Sequence, residues 1–122
     1  MIISKLMTKP VIRIDENSTV QEAIVIMSAE SFGTLLVTRH GQDIGVLTAG
    51  DIISKVLAQK HALDAVQVKE IMSTPLITAD KQITGEDALR MMVNNNVGRL
   101  LITDNEEIVG IFSTSDVTKL VP

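Results

Sequence analysis

The sequence contains no cysteine, which excludes disulfides and thiolate chemistry. It has no tryptophan or tyrosine, so its interior must be built from Ile, Val, Leu, Met and Ala with two Phe. Lys and Arg form no run, and the net charge is -4. A nucleic-acid binder usually carries a basic stripe, so a nucleic-acid partner is disfavoured. No apolar run approaches the ~18 residues of a membrane span. The opening Met1-Ile2-Ile3-Ser4-Lys5 lacks the blocks of a signal peptide. These absences predict a soluble, cytoplasmic chain with no membrane partner. His40 and His61 are isolated from each other and from any paired carboxylates, so no metal site is expected. No nucleophile with its base and no Gly-rich phosphate loop is visible. The chain therefore reads as a binding module that needs no cofactor, and not as an enzyme.

What is present is a repeat. Of the 122 residues, 45% are apolar, enough for one compact domain or two small halves. A shift of about 65 residues superposes the chain on itself without a gap. Met7 falls on Met72, Pro10 on Pro75, Thr19 on Thr84, Ala23 on Ala88 and Met27 on Met92. Gly33 falls on Gly98, Gly45 on Gly110 and Asp51 on Asp116. The matches lie on punctuating residues and apolar positions, as a duplicated unit requires. The spans are 1–58 and 67–122, joined by a linker at 59–66.

Each repeat reads as strand, helix, strand, strand, helix. Val11–Ile14 and Leu76–Thr78 are short strands after a proline. Thr19 with Glu22, and Thr84 with Asp87, form capping boxes that open the first helices. Val20, Ala23, Ile24 and Met27 share one helix face, as do Ala88, Leu89, Met92 and Val93. The helices end before Gly33 and Gly98. Apolar runs at 35–38 and 44–47, and at 100–103 and 108–112, are joined by polar turns and read as hairpins. The fold class is α+β, with two pseudo-symmetric repeats packed sheet to sheet.

The stretch with functional content occurs twice, as Gly45-Val46-Leu47-Thr48-Ala49-Gly50-Asp51 and Gly110-Ile111-Phe112-Ser113-Thr114-Ser115-Asp116. A buried strand turns at a hydroxyl residue into a helix. The helix N-terminus suits an anion, and the aspartate can accept hydrogen bonds from a diol such as ribose. The same spacing is also a capping box that needs no ligand.

With Met-x-x-Pro at Met7–Pro10 and Met72–Pro75, the Ala-x-x-x-Met helices and the doubled Gly-x-x-Thr/Ser-x-x-Asp, the chain resembles a tandem pair of CBS (cystathionine β-synthase) domains, a Bateman module. The likeness runs from about Ile3 to about Leu120, and no attached enzyme or transporter is expected. It implies a regulatory module that binds AMP, ADP, ATP or S-adenosylmethionine in the cleft between the repeats and signals to a separate partner protein. By the family pattern Asp51 and Asp116 hold the ribose, and Thr48 and Ser113 contact ribose or phosphate. Backbone at Thr8 to Val11, including Pro10, with Gly33 and Thr34 lines adenine. So does backbone at Thr74 to Leu76, including Pro75, with Gly98 and Arg99. Arg99 matches the phosphate-binding basic residue, and Thr34 replaces it in the first repeat. Lys119 and Lys55 are secondary cationic candidates. The sequence departs from the pattern at Gly98, where a second basic residue is common, and at Gly50 and Ser115, where a charge is common. Leu36 and Leu101 replace the usual proline. The phosphate region is sparsely charged, which counts against a triphosphate. Arg99 and Lys119 make the Asp116 site the stronger of the two. The alternatives are an interaction scaffold with a vestigial site and, further off, a nucleic-acid-binding module.

The chain is also expected to form a homodimer. Ile52, Ile53, Val56 and Leu57, with Val117, Leu120 and Val121, offer apolar closing-helix faces, to which Met27, Met91 and Met92 add.

Overall fold

The computed structural model describes residues 2–121. They form two compact units that are offset from the sequence repeats. The inner unit is residues 12–76, and the outer unit combines 2–11 with 77–121. Each unit holds the strands and helices of one repeat plus a segment that precedes the other.

In the inner unit β1 (Arg13–Asp15) leads through α1 (Val20–Glu30) to β2 (Thr34–Arg39), which lies parallel to β1. β3 (Gln42–Thr48) returns antiparallel to β2. The chain closes through α2 (Ala49–Ile52), continued by a π-helical stretch at Ile53–Leu57. The outer unit repeats this plan with β4 (Thr78–Asp80), α3 (Gly85–Asn95), β5 (Arg99–Asp104) and β6 (Glu107–Ser113). Its closing element, Thr114–Leu120, is a 3-10 helix. The sheets are β1-β2-β3 and β4-β5-β6. The α+β class and the strand-helix-strand-strand-helix order therefore stand. The opening strands begin two residues later than the sequence suggests, at Arg13 and Thr78.

Local chemistry explains the helices. Thr19 Oγ1 accepts from the Glu22 amide at 3.1 Å, and the Glu22 carboxylate accepts from the Thr19 amide at 3.4 Å. Thr84 caps Asp87 in the same way at 3.1 Å, but the reciprocal half of that box is missing. Asp is one methylene shorter than Glu, and here its carboxylate pairs with Arg90. Both helices end on left-handed residues, Ser31 and Asn96, two positions before the expected glycines. Val93 is 71% exposed and leaves the expected apolar face.

The inner core gathers Ile14, Val20, Ala23, Leu35, Val37, Leu47, Ile52, Val56, Val66, Val68 and Ile71. The segment at 59–66 does more than join the repeats. Leu63 packs on this core, and the carbonyls of Leu63 and Val66 accept from the amides of Gln21 and Val20 at 3.1 and 2.9 Å. Those amides open α1 and have no intrahelical acceptor. The outer core holds Ala88, Met92, Leu100, Ile102 and Phe112, completed by Ile3 and Leu6 from the N-terminal segment. Both sheets carry a register shift, which leaves Ile44 and Val109 as bulges beside Gly45 and Gly110.

Arg39 and Glu16 form an ion pair that the sequence reading did not include. Arg39 donates from Nε and Nη2 to Glu16 at 2.7 and 3.0 Å. The guanidinium hydrogen bonds hold the Glu16 carboxyl below its usual range, and the carboxylate raises Arg39 in turn.

Candidate functional site

The motif end of β3 is built from backbone first. Thr48 pairs with Thr34 across the β2–β3 ladder, and the Gly33 carbonyl accepts from the Ala49 amide at 2.9 Å. Thr48 Oγ1 accepts from the Asp51 amide at 3.1 Å, and Asp51 Oδ2 accepts from the Thr48 amide at 3.0 Å. The outer unit matches it. Ser113 pairs with Arg99, and the Gly98 carbonyl accepts from the Thr114 amide at 3.1 Å. Asp116 Oδ2 accepts from the Ser113 amide at 3.0 Å. The structure thus brings Gly33, Thr34, Thr48 and Asp51 together, and likewise Gly98, Arg99, Ser113 and Asp116. The capping role of the motif is realised in both copies.

The proline segments attach less directly. In the outer unit Thr8 bridges Ile111, with bonds of 2.8 and 3.1 Å, and its hydroxyl donates to Asp116 Oδ1 at 3.3 Å. Pro10 and Val11 lie beyond that bridge; Pro10 is exposed and Val11 half-buried. In the inner unit Ser73 bridges Val46 at 2.8 and 3.0 Å, and Pro75 and Leu76 follow it outward. The segment before the first strand therefore meets the aspartate of the second repeat. Sequence order alone does not reveal this exchange.

Two lysines prove more committed than their sequence positions imply. Lys119 Nζ lies 2.7 Å from Asp116 Oδ1 and 3.1 Å from the Leu6 carbonyl. Lys55 Nζ lies 3.3 Å from Asp51 Oδ1 and 3.0 Å from the Ile71 carbonyl. Each ties a motif aspartate to the segment borrowed by its unit. The pairing is at i+3 in one repeat and i+4 in the other, so a strict 65-residue superposition hides it. The short closing helices weaken the expected anion site, because aligned peptide dipoles are few there.

A groove of about 450 Å³ lies within the outer unit beside Gly98 and Thr114, floored by Met92 and Val97. A second, of about 440 Å³, lies in the inner unit against Lys55, His61 and Glu70, and neither Thr48 nor Asp51 lines it. A Cβ at Gly98 would meet no atom within 4 Å, so packing does not require glycine there. Among the described residues, no three His, Asp or Glu side chains gather as a metal site. Among them, too, no helix is long and apolar enough to cross a membrane.

The family model described as the CBS domain matches residues 3–58 and again 68–122. The chain belongs to the CBS domain family. A CBS domain-containing protein of Bacillus subtilis, YhcV, is 32% identical over 94% of this chain and 81% of its own length. The solved structure of an uncharacterised conserved protein from Pyrococcus horikoshii superposes with a TM-score of 0.86 at 32% identity. That likeness covers 98% of this chain and 90% of the other. The CBS domain protein PAE2072 from Pyrobaculum aerophilum, complexed with AMP, superposes with a TM-score of 0.81 at 22% identity. It is covered over 89% of its chain and covers 95% of this one. Other curated relatives are longer, and the chain spans 31% of one from Methanocaldococcus jannaschii and 62% of one from Methanopyrus kandleri. The tandem CBS arrangement expected from the doubled motifs is therefore established.

Proposed function

We propose that this CBS pair is a regulatory, non-catalytic module that binds an adenosine-containing ligand, AMP before ATP, and relays its presence to a partner protein. The observation that carries the reading is the doubled cluster of capped aspartate, hydroxyl residue and strand start. Asp51 sits with Thr48, Thr34 and Gly33, and Asp116 with Ser113, Arg99 and Gly98. A carboxylate fixed by its cap is pre-oriented to accept both hydroxyls of a ribose. Pro10, Val11, Pro75 and Leu76 are assigned to the adenine by the family pattern. Arg99, opposite Ser113, supplies the cation for a phosphate, and a single guanidinium suits a monophosphate better than a triphosphate. The fold is shared with PAE2072, which is complexed with AMP. S-adenosylmethionine meets the same ribose and adenine requirements without needing Arg99.

Isothermal titration with AMP, ATP and S-adenosylmethionine tests the reading. Heat is expected with AMP, and where the outer-unit site is filled Arg99→Ala should weaken AMP while leaving adenosine nearly unchanged. No heat with any of the three overturns the proposal. It would favour a scaffold whose aspartates serve only as caps.

A further inference from the structure

The two motif aspartates differ in what already occupies them. An ionised carboxylate offers about four acceptor positions. Asp116 fills them from its own unit. Its Oδ1 accepts from Lys119 Nζ at 2.7 Å and from Thr8 Oγ1 at 3.3 Å. Its Oδ2 accepts from the Ser113 amide at 3.0 Å and from Ser113 Oγ at 3.3 Å. The side chain is 3% exposed. Asp51 takes one hydrogen bond, from the Thr48 amide, and one looser ion pair to Lys55 at 3.3 Å. Its side chain is 15% exposed. Ser73 stands where the repeat places Thr8, yet among the described residues no hydroxyl other than that of its own cap lies against Asp51.

The difference follows from helix type. In a 3-10 helix side chains three apart eclipse, so Lys119 comes directly over Asp116. After Asp51 the chain winds more widely, through a turn of α-helix into a π-helical stretch. Lys55, four residues on, then leans toward the Ile71 carbonyl at 3.0 Å and stands farther from the carboxylate. The Lys119 charge, which counts toward the Asp116 site when read from sequence, is spent inside the unit.

We propose that Asp51 is the open diol site and that Asp116 is held closed by Lys119 and Thr8, which compete with any incoming ligand. This rests on the ribose reading of the motif aspartates given above. A ribose entering at Asp116 must displace Lys119, whose bond joins two full charges, and gains a bond in which only the carboxylate is charged. A ribose entering at Asp51 meets unfilled acceptor positions. Loosening of the N-terminal segment that carries Thr8 and the Leu6 carbonyl would then unmask the second site, making ligand capacity sensitive to how that segment is held.

The test titrates adenosine and AMP into wild type, Asp51→Asn, Asp116→Asn and the double variant Thr8→Val/Lys119→Met. One site per chain is expected in wild type. Asp51→Asn should weaken it roughly tenfold or more, the range for losing bonds to a charged group, a larger loss than Asp116→Asn causes. The double variant should show two sites. A larger loss from Asp116→Asn, or a double variant that still binds once, overturns the inference while leaving the ligand reading intact. Absence of heat from all four proteins overturns the ligand reading, and the assignment of Asp51 falls with it. A ligand-free comparison stands apart from both. Lys119→Met should lower the urea midpoint more than Lys55→Met, and equal midpoints overturn the closed-versus-open contrast.

Discussion

Gly45 and Gly110 occupy matching positions in the two repeats, yet a side chain would cost differently at each. A Cβ on Gly45 would stand 2.9 Å from the Ser73 carbonyl oxygen, 3.0 Å from Met72 Sδ and 3.1 Å from Thr74 Cγ2. That carbonyl accepts from Val46 at 3.0 Å, so it cannot withdraw without loosening the bridge. A Cβ on Gly110 would meet Met7 instead, at Sδ, Cγ and Cε. Methionine is unbranched and readily repacks. Gly45→Ala should therefore lose about 1–3 kcal/mol, the usual cost of overpacking, and Gly110→Ala clearly less, both by urea unfolding. Equal losses would show that the Ser73 segment yields as easily as a methionine. The doubled glycine was visible in the sequence, but its cause was not. The atoms that exclude a side chain come from segments distant in the chain, and no local pattern names them. The lysine partners of Asp51 and Asp116 were hidden for a related reason. Their spacing depends on helix type, which residue identity leaves undetermined.

At the scale of elements, the hairpins were legible because two apolar runs flank a polar turn in each repeat. The turns themselves are tighter than the polar stretches, with two residues each. His40 and Gly41 have φ of 50° and 77°, and Asn105 and Glu106 have φ of 51° and 69°. Positive φ at both centres is the type I′ hairpin turn, whose twist matches the strands and which favours Asn-Gly. Glu106 is the residue least suited to it, since the left-handed region costs a residue with a Cβ roughly 1–2 kcal/mol. Glu106→Gly should stabilise the protein by about 1 kcal/mol, and Gly41→Glu should destabilise it by a similar amount. Thermal or urea unfolding of the two variants measures both, and a Glu106→Gly protein no more stable than wild type would refute the strain argument. The closing helices were placed correctly near Asp51 and Asp116, but their α–π and 3-10 forms were not foreseen. Short helices take their form from packing more than from propensity.

At the scale of the molecule, the self-match gave the repeats, while the exchange of segments between units had to come from the structure. It also moves the surface on which the dimer expectation rests. Ile52 and Val56 are 4% and 0% exposed and belong to the inner core, so they are not available to a partner. Val117 and Leu120 pack on the outer core, and Met92 is buried within it. Ile53 and Leu57 remain, 60% and 51% exposed, as does Val121 of the outer unit at 76%. Ile53 and Leu57 lie four residues apart, within one turn of the closing helix of the inner unit, and so share a face. Exposed apolar residues that share a face mark a partner surface better than scattered ones do. A surface that is self-complementary about a two-fold axis gives a closed dimer. Wild type should sediment as a dimer at micromolar concentration. Ile53→Asp/Leu57→Asp should sediment as a monomer with unchanged circular dichroism, because neither residue belongs to the core. Val56→Asp should instead unfold the inner unit, since it buries an unpaired charge. A monomeric wild type would refute the dimer, and a double variant that stays dimeric would move the interface off this helix.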